Sequence, residues 1–316
     1  MTVSVSVIVA NWNGRHHLAR CLPSLRVQTY RDFEVVVVDN GSTDGSVGWL
    51  AQEYPDVRVL CNPRNLGFAV ANDQAIRATE SRYLVTLNND TQATSTWLGE
   101  LVAAAESDAA VGMVASQILL ASAPGVIDSA GIEVDWTGTG WQRRRGEAAD
   151  EAGDLEEVFG PSAGAALYRR VMLDEIDLFD ESFFAYYEDV DLAWRARNAG
   201  WRCLYAPRAR VYHAHSATGG QDLSYKRFLI GRNKVWTLVK NYPPLRLAVA
   251  WPLVLGFDLA AVLYGVLVDR DLAAWRGRLA AWRELPRVWR QRRTTRRCAW
   301  GTLSPMRNPL RVGVRL

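Results

Sequence analysis

Val3, Val5, Val7 and Val9 alternate with Ser4, Ser6 and Ile8 and stop at Asn11-Trp12-Asn13-Gly14, the period of two expected of a strand that ends in a polar turn. Leu18, Leu22 and Leu25 then fall at helical spacing, with Pro23 as an interruption. Phe33-Glu34-Val35-Val36-Val37-Val38 is a nearly unbroken β-branched run, as in a parallel strand covered on both faces, and it ends in Asp39-Asn40-Gly41-Ser42-Thr43-Asp44. Strand, helix, strand and polar tip make a βαβ unit whose ligands are expected at the carboxyl ends of the strands.

The pattern continues with a strand over 57–60, a helix opened by Asn65-Leu66-Gly67-Phe68, a strand over 83–87 that ends in Asn88-Asn89-Asp90, a helix over 97–105 and a strand over 111–120. Residues 125–146 mix short β-like pieces with glycines and Arg143-Arg144-Arg145, and 147–157 read as an acidic loop. Small residues at 160–166, Gly164 among them, precede a strand and allow close approach of backbone to a ligand. A helix from about Asp189 to Ala199, stopped by Gly200, is followed by short strands over 202–205 and 210–215, then by an amphipathic helix around 223–242 containing Arg232-Asn233. The fold class expected is α/β, a doubly wound, mostly parallel sheet flanked by helices. It occupies 1–242, with a nucleotide-binding half over 1–120 and an acceptor and catalytic half over 121–242; Pro243-Pro244 then opens a helical tail over 243–316.

Composition narrows this only slightly. The 316 residues, 49% hydrophobic and 22% charged, suit an ordinary globular enzyme with one large domain and an appendage. Cys21, Cys61, Cys203 and Cys298 show no C-x-x-C spacing, so a reducing cytosol is expected, and no signal peptide is recognisable at the start.

The polar strand tips carry the candidate chemistry. No G-x-G-x-x-G and no G-x-x-x-x-G-K-[ST] occurs, which weighs against a dehydrogenase or a P-loop enzyme. Asp39 is placed to accept from the imide N–H of a uracil or thymine, although a plain turn explains the same residues; Gly67 at a helix start would let backbone amides approach a diphosphate. Asp90 alone suffices for an ion that also takes phosphate oxygens and water. Of His213 and His215, at most one is expected at the site; ligation by His213 would favour Mn²⁺ over Mg²⁺, while a structural role is the commoner fate of such a residue. Glu188, Asp189 and Asp191 stand at a helix start, where they either cap the helix or serve as a base kept ionised by the helix dipole.

The ordered set Val7-Ile8-Val9-Ala10-Asn11-Trp12-Asn13, Val38 to Gly45, Asn65-Leu66-Gly67-Phe68, Leu87-Asn88-Asn89-Asp90, Phe179-Asp180-Glu181, Tyr187-Glu188-Asp189-Val190-Asp191-Leu192 and Tyr212-His213 resembles the family 2 glycosyltransferases, in particular the rhamnosyltransferase-like branch of bacterial cell-surface polysaccharide enzymes. The resemblance covers about the first 240 residues. It implies a GT-A fold, a nucleoside-diphosphate sugar such as dTDP-rhamnose as donor, Mn²⁺ or Mg²⁺ as cofactor and inversion at the anomeric carbon. It places Asp39 on the base, Asp90 and His213 at the metal and Asp189 as general base, with Glu188 and Asp191 as further catalytic candidates. The donor-contacting set is then Asn11, Asn13, Asp39, Asn40, Gly67, Asn72, Asn88, Asn89, Gly164 and Arg232. Two departures are plain: the D-x-D triplet stands here as Asn88-Asn89-Asp90, and no Q-x-x-R-W follows, so a single transfer is expected rather than polymerisation. A nucleotidyltransferase would need a basic grip near the N-terminus, where Arg15 stands alone; a non-catalytic nucleotide-sugar-binding scaffold is the other alternative.

The tail points to a membrane. Residues 247–268 are long enough to span a bilayer, yet Asp258 would cost about 3 kcal/mol at its centre and Pro252, Gly256 and Gly265 weaken it further. A single span would also put the arginine-rich end opposite the donor site, so a re-entrant or interfacial helix on the cytoplasmic face of the cell membrane is expected, near a lipid-linked or polysaccharide acceptor. Within 270–297 ten arginines stand against Asp271 and Glu284, a net +8 that leaves −5 elsewhere. Trp275, Trp282 and Trp289 recur every seven residues there, as suits a headgroup region, though such stripes more often pack into a core. Nucleic acid is not expected as a partner, because no reading motif accompanies the charge.

Overall fold

The computed structural model describes residues 3–149, 153–214 and 223–292; His215, Cys298 and the arginines beyond 292 lie outside the described residues. Strands and helices alternate as β1 (Val5–Asn11), α1 (Arg15–Arg26), β2 (Phe33–Asp39), α2 (Ser46–Glu53), β3 (Arg58–Cys61), α3 (Phe68–Arg77) and β4 (Tyr83–Asn88). Next come β5 (Thr91–Ala93), α4 (Trp97–Glu106), β6 (Val111–Leu120), β7 (Ala123–Ser129), β8 (Ile132–Val134), β9 (Gly140–Gln142), β10 (Glu156–Val158), β11 (Ala165–Arg169) and α5 (Arg170–Ile176). The chain closes with α6 (Glu188–Ala199), β12 (Arg202–His213), α7 (Leu223–Asn241), α8 (Pro244–Leu267), α9 (Ala273–Arg283) and α10 (Leu285–Arg290).

The sheet runs β10-β12-β6-β11-β4-β1-β2-β3, with β5 added to β12 and β7 to β6. The pairs β1 with β2, β1 with β4, β2 with β3 and β12 with β6 are parallel, and β11 is antiparallel between β4 and β6. The doubly wound, mostly parallel α/β sheet expected from the sequence is borne out. Its two faces follow from the alternation in β1 and β2: Val5, Val7, Val9 and Val37 pack with Leu18, Leu22, Leu25 and Trp97 on one side, while Ile8, Val36 and Val38 pack with Ala69, Ile76, Leu192 and Trp194 on the other.

Three local expectations change. Helix α1 runs through Pro23, which lies exposed on its outer face, so only one helical hydrogen bond is forfeited. The strands expected over 202–205 and 210–215 are one strand, β12, whose register on β6 shifts between Ala206 and Arg210. Pro207 cannot donate to the ladder, and a bulge accommodates it without ending the strand. Helix α2 has no counterpart in the sequence reading.

In the tail, α9 crosses α7 closely, because Gly231 and Gly277 carry no side chain at the contact: a Cβ on Gly277 would meet the Phe228 carbonyl, and one on Gly231 the Ala274 carbonyl. Asp258 of α8 faces inward, 3.2 Å from Lys234 Nζ of α7 and 2.5 Å from Arg278 Nε of α9. The cost expected of Asp258 in lipid therefore does not arise, since its charge is neutralised against the protein. All exposed side chains of α8 are apolar, Leu245, Val249, Leu253, Leu259 and Leu263 among them. Trp275, Trp282 and Trp289 are 43%, 64% and 61% exposed, so they are not a core stripe, although the helix carrying them breaks at Glu284 between α9 and α10.

Candidate active site

The parallel register aligns the polar tips. Asn11 pairs with Asp39 across β1 and β2, and Ala10 with Asn88 across β1 and β4, so all three strand ends open on one edge. Asn11 Nδ2 donates to Asp39 Oδ2 at 2.9 Å, and Asn11 Oδ1 accepts from Asn89 Nδ2 at 2.8 Å. Asp39 Oδ1 accepts the Ser42 amide at 2.8 Å, which leaves each of its oxygens a lone pair for a further donor. Asn13, in the left-handed region at φ 50°, accepts the Thr43 amide at 2.7 Å and fastens the loop after β1 to the loop after β2. Gly14 is needed beside them, because a Cβ there would run into Asn89.

Three donor-site candidates are engaged elsewhere. Asn40 Nδ2 donates to the Gly67 carbonyl at 3.2 Å and its Oδ1 accepts from Asn62 at 2.9 Å, so it braces two loops. Gly67 does not open the start of α3 to a diphosphate: the Phe184 carbonyl accepts from the amides of Phe68 and Ala69 at 2.6 and 3.3 Å, and a Cβ on Gly67 would come within 2.5 Å of that oxygen. The helix end is capped by the chain itself. Asn72 is wholly buried and donates to the Phe68 carbonyl of its own helix.

At the end of β4, Asp90 is 7% exposed and its Oδ1 lies 3.3 Å from His213 Nε2 at the end of β12. The other imidazole nitrogen, Nδ1, lies 3.0 Å from Asp128 Oδ2 on β7. Burial pulls the His213 pKa down, but the hydrogen bonds to Asp128 and Asp90 prevail and raise it to about 9. Adjacent ligands of an octahedral divalent ion at about 2.1 Å are about 3 Å apart, so Asp90 and His213 have the spacing to share one, with Asp128 orienting the ring from behind. Among the described residues no group of three or more His, Cys, Asp or Glu side chains is placed to hold a metal, so such an ion would take its remaining ligands from phosphate and water.

Asp189 begins α6 on the same edge. It is half-buried; its Oδ2 accepts the Ala163 amide at 3.3 Å and its Oδ1 the Val190 amide at 2.8 Å. The loop that supplies Ala163 also joins β4, because the Gly164 carbonyl accepts the Asn88 amide at 2.8 Å. A Cβ on Gly164 would stand 3.1 Å from Asn88 Nδ2, so Asp189 and the Asn88-Asn89-Asp90 tip are linked through two residues of small-side-chain backbone. Glu188 is 7% exposed and its Oε2 makes no hydrogen bond. The helix dipole does not offset burial at this pair: burial raises the Asp189 pKa to about 6, and burial with the neighbouring Asp189 charge raises that of Glu188. The dipole is worth at most about 2 kcal/mol, whereas each unit of desolvation shift is about 1.4 kcal/mol and buried carboxyls shift by up to several units. Asp189, with two backbone donors, ionises before Glu188.

Two further candidates leave the cleft. Asp191 is fully buried and accepts from Arg195 Nε at 2.8 Å, Lys240 Nζ at 2.9 Å and Asn241 Nδ2 at 2.7 Å. Burial alone would raise its pKa, but Lys240 and Arg195 hold it down at about 2, which makes it a structural anion and not a base. Arg232 donates to the Ser182 and Phe183 carbonyls at 3.2 and 3.0 Å, and its guanidinium stacks 4.4 Å over Trp236. It grips the chain before α6 instead of a donor.

Asp128 and Asn233 are the site residues that the sequence reading passed over. Asp128 sits in the stretch over 125–146 that carries no motif, and its meeting with His213 depends on the β6–β7 hairpin. Asn233 was visible only as half of an Arg-Asn pair.

Residues 6–177 match the family described as Glycosyl transferase family 2. The chain is 31% identical over 253 residues to an N-acetylglucosaminyl-diphospho-decaprenol L-rhamnosyltransferase of Mycobacterium tuberculosis, a match covering 70% of this chain and 80% of that protein. In fold it is similar to TarS of S. aureus in complex with UDP-GlcNAc (TM-score 0.62, 16% identity, 91% of this chain and 81% of that one). It is likewise similar to the mannosyltransferase PcManGT of Pyrobaculum calidifontis in complex with GDP-Man and Mn²⁺ (TM-score 0.56, 19% identity, 92% and 84%). The stretch over 6–177 holds the polar tips at Asn11, Asp39 and Asp90, while Asp189 and His213 follow it, and the chain belongs to the family 2 glycosyltransferases, with a GT-A fold.

Proposed function

We propose that this chain is an inverting, non-processive glycosyltransferase that moves one sugar, L-rhamnose, from a nucleoside-diphosphate donor to a lipid-linked acceptor at a membrane surface. The observation that carries the reading is the placement of one ionisable, half-buried carboxylate, Asp189, two backbone links away from the Asn88-Asn89-Asp90 tip. The 31% identity to a rhamnosyltransferase acting on a decaprenol-linked sugar supports the choice of donor sugar and acceptor class.

In this reading Asp39 accepts from the base, with Asn11 and Asn89 holding its orientation, and Asp90 with His213 holds a divalent cation. When bound, that cation offsets the charge of the departing diphosphate. Asp189 removes the proton of the acceptor hydroxyl as the hydroxyl oxygen attacks the anomeric carbon from the face opposite the diphosphate, so one base suffices for inversion. Burial and the Asp189 charge raise the pKa of Glu188 beside it, which disfavours a second negative charge in the pocket.

The apolar outer face of α8 supports docking on a bilayer in the plane of the surface. Its inner side carries Asp258, paired with Lys234 of α7 and Arg278 of α9, which ties the helix to the rest of the protein. A thermal-shift screen of nucleotide sugars with and without Mn²⁺ tests the donor reading, because a bound donor raises stability with the logarithm of its saturation. Stabilisation by a deoxythymidine or uridine diphosphate sugar that grows with Mn²⁺ supports it; no shift with any nucleotide sugar overturns it.

A further inference from the structure

The turn that delivers Asp189 is strained and held from outside. Phe184 has φ 67° and ψ −65°, the centre of a γ-turn closed by the Ala185 amide on the Phe183 carbonyl at 2.8 Å. Tyr186 and Tyr187 follow at φ 66° and 70°. None of the three is glycine, and side chains this large avoid positive φ, so the segment needs restraint from its surroundings to keep its shape. Tyr187 is the residue before α6, and its carbonyl accepts the Asp191 amide at 2.9 Å, so the first turn of the catalytic helix inherits whatever the strained segment does.

The restraint comes from α7. Asn233 is fully buried, and its Nδ2 lies 3.1 Å from the Phe183 carbonyl, 2.9 Å from that of Ala185 and 2.7 Å from that of Tyr186. Its two N–H bonds are shared among three acceptors that only the strained conformation brings together. Its Oδ1 accepts from Arg232 Nε at 2.9 Å, and Arg232 in turn donates to the Ser182 and Phe183 carbonyls, so the two side chains clasp the carbonyls of Ser182, Phe183, Ala185 and Tyr186 as one unit. On the other side the Phe184 carbonyl is pinned by the start of α3.

We infer that Asn233, oriented by Arg232, is a positioning residue for glycosyl transfer: it holds the 184–187 turn in its strained form and so sets the place of Asp189 against the acceptor. The inference rests on the reading of Asp189 as the base. Asn233 touches no reacting atom; it acts through the turn. The next residue on α7, Lys234, ties the same helix to α8 through Asp258, so the clamp is carried by the helix on which the apolar tail is mounted.

The test uses the full-length chain and compares kcat with donor affinity. Asn233→Ala should lower kcat by about 10-fold to 100-fold, the scale of an ångström-sized misplacement of a catalytic group, with the dissociation constant of the nucleotide sugar changed less than about 3-fold. Tyr186→Gly removes one of the positive-φ penalties, so the double variant Asn233→Ala/Tyr186→Gly should recover part of the lost kcat when each is referred to its own single variant. A residue that merely packed the core would lower thermal stability and leave kcat per folded molecule unchanged, and the glycine would not rescue it; either result overturns the inference. Should Asn233→Ala fail to fold, Arg232→Lys keeps the charge but loses the fork to two carbonyls, and it should lower kcat with donor affinity retained; an unchanged kcat there overturns the inference as well. Asp189→Asn, run in parallel, separates the two readings: full turnover in that variant removes the base assignment, whereas full turnover in Asn233→Ala removes only the positioning role.

Discussion

Asp189 and Asp191 stand two residues apart on one helix, and their surroundings shift their pKa values in opposite directions. Asp189→Asn removes a proton acceptor and little volume, so transfer should fall by about 10² to 10⁴ with donor affinity nearly intact; turnover above a tenth of the unmodified rate would move the base to Glu188. Because burial lifts the Asp189 pKa to about 6, kcat should decline as pH falls through 6, and a pH profile of single-turnover rates reads this limb. The sign for stability is the reverse: a carboxyl raised in the fold is best tolerated protonated, so its contribution is lost as pH rises through 6, and Asp189→Asn should not lower the melting temperature at pH 7. Asp191, depressed to about 2, stabilises above the ordinary carboxylate range and loses that contribution only as pH falls toward 2. Asp191→Ala leaves Lys240 with Asp180 and Arg195 with backbone carbonyls alone, removing the fully buried anion between them, and should cost about 3 kcal/mol, measured by denaturant unfolding. The sequence marked both residues as acids at a helix start; it could not separate them, because Lys240 and Asn241 arrive from a helix fifty residues later. Asp39, Asn11 and Asn89 were legible as strand tips for the opposite reason, since parallel register alone brings them together.

At the scale of elements, β-branched runs and leucine spacing located most strands and helices of the first half, because each buries a face that its own periodicity defines. What periodicity could not reveal was occupancy. Gly67 looked like a diphosphate cradle, but the Phe184 carbonyl fills it, and no local signal announces a partner that distant in sequence. The tail shows the same limit: Asp258 reads as a charge in a lipid segment until Lys234 and Arg278 are placed beside it. With the inner face of α8 so committed, the outer face is free to meet hydrocarbon. Replacing Val249, Leu253 and Leu263 with Asp should leave the fold intact and weaken sedimentation with anionic vesicles at least about tenfold, since each large apolar side chain withdrawn from hydrocarbon forfeits about 1.5 kcal/mol or more. Unchanged vesicle binding would assign that face to a protein partner.

For the whole molecule, Asn11, Asp39, Asp90 with His213, and Asp189 lie on one rim of a GT-A sheet, and the apolar helix α8 is tied through Lys234 to the helix that holds the 184–187 turn. Asp90→Ala should weaken donor binding in Mn²⁺ but not in EDTA, as measured by calorimetry, because that carboxylate matters only through the ion it helps hold. The most direct measurement is transfer itself: full-length chain, dTDP-rhamnose, Mn²⁺ and vesicles carrying a polyprenyl-diphosphate sugar, with product lipid and released nucleoside diphosphate followed together. The account predicts one added deoxyhexose per acceptor, matched by one nucleoside diphosphate, abolished by EDTA and by Asp189→Asn. Equal product with EDTA, or with Asp189→Asn, would contradict it.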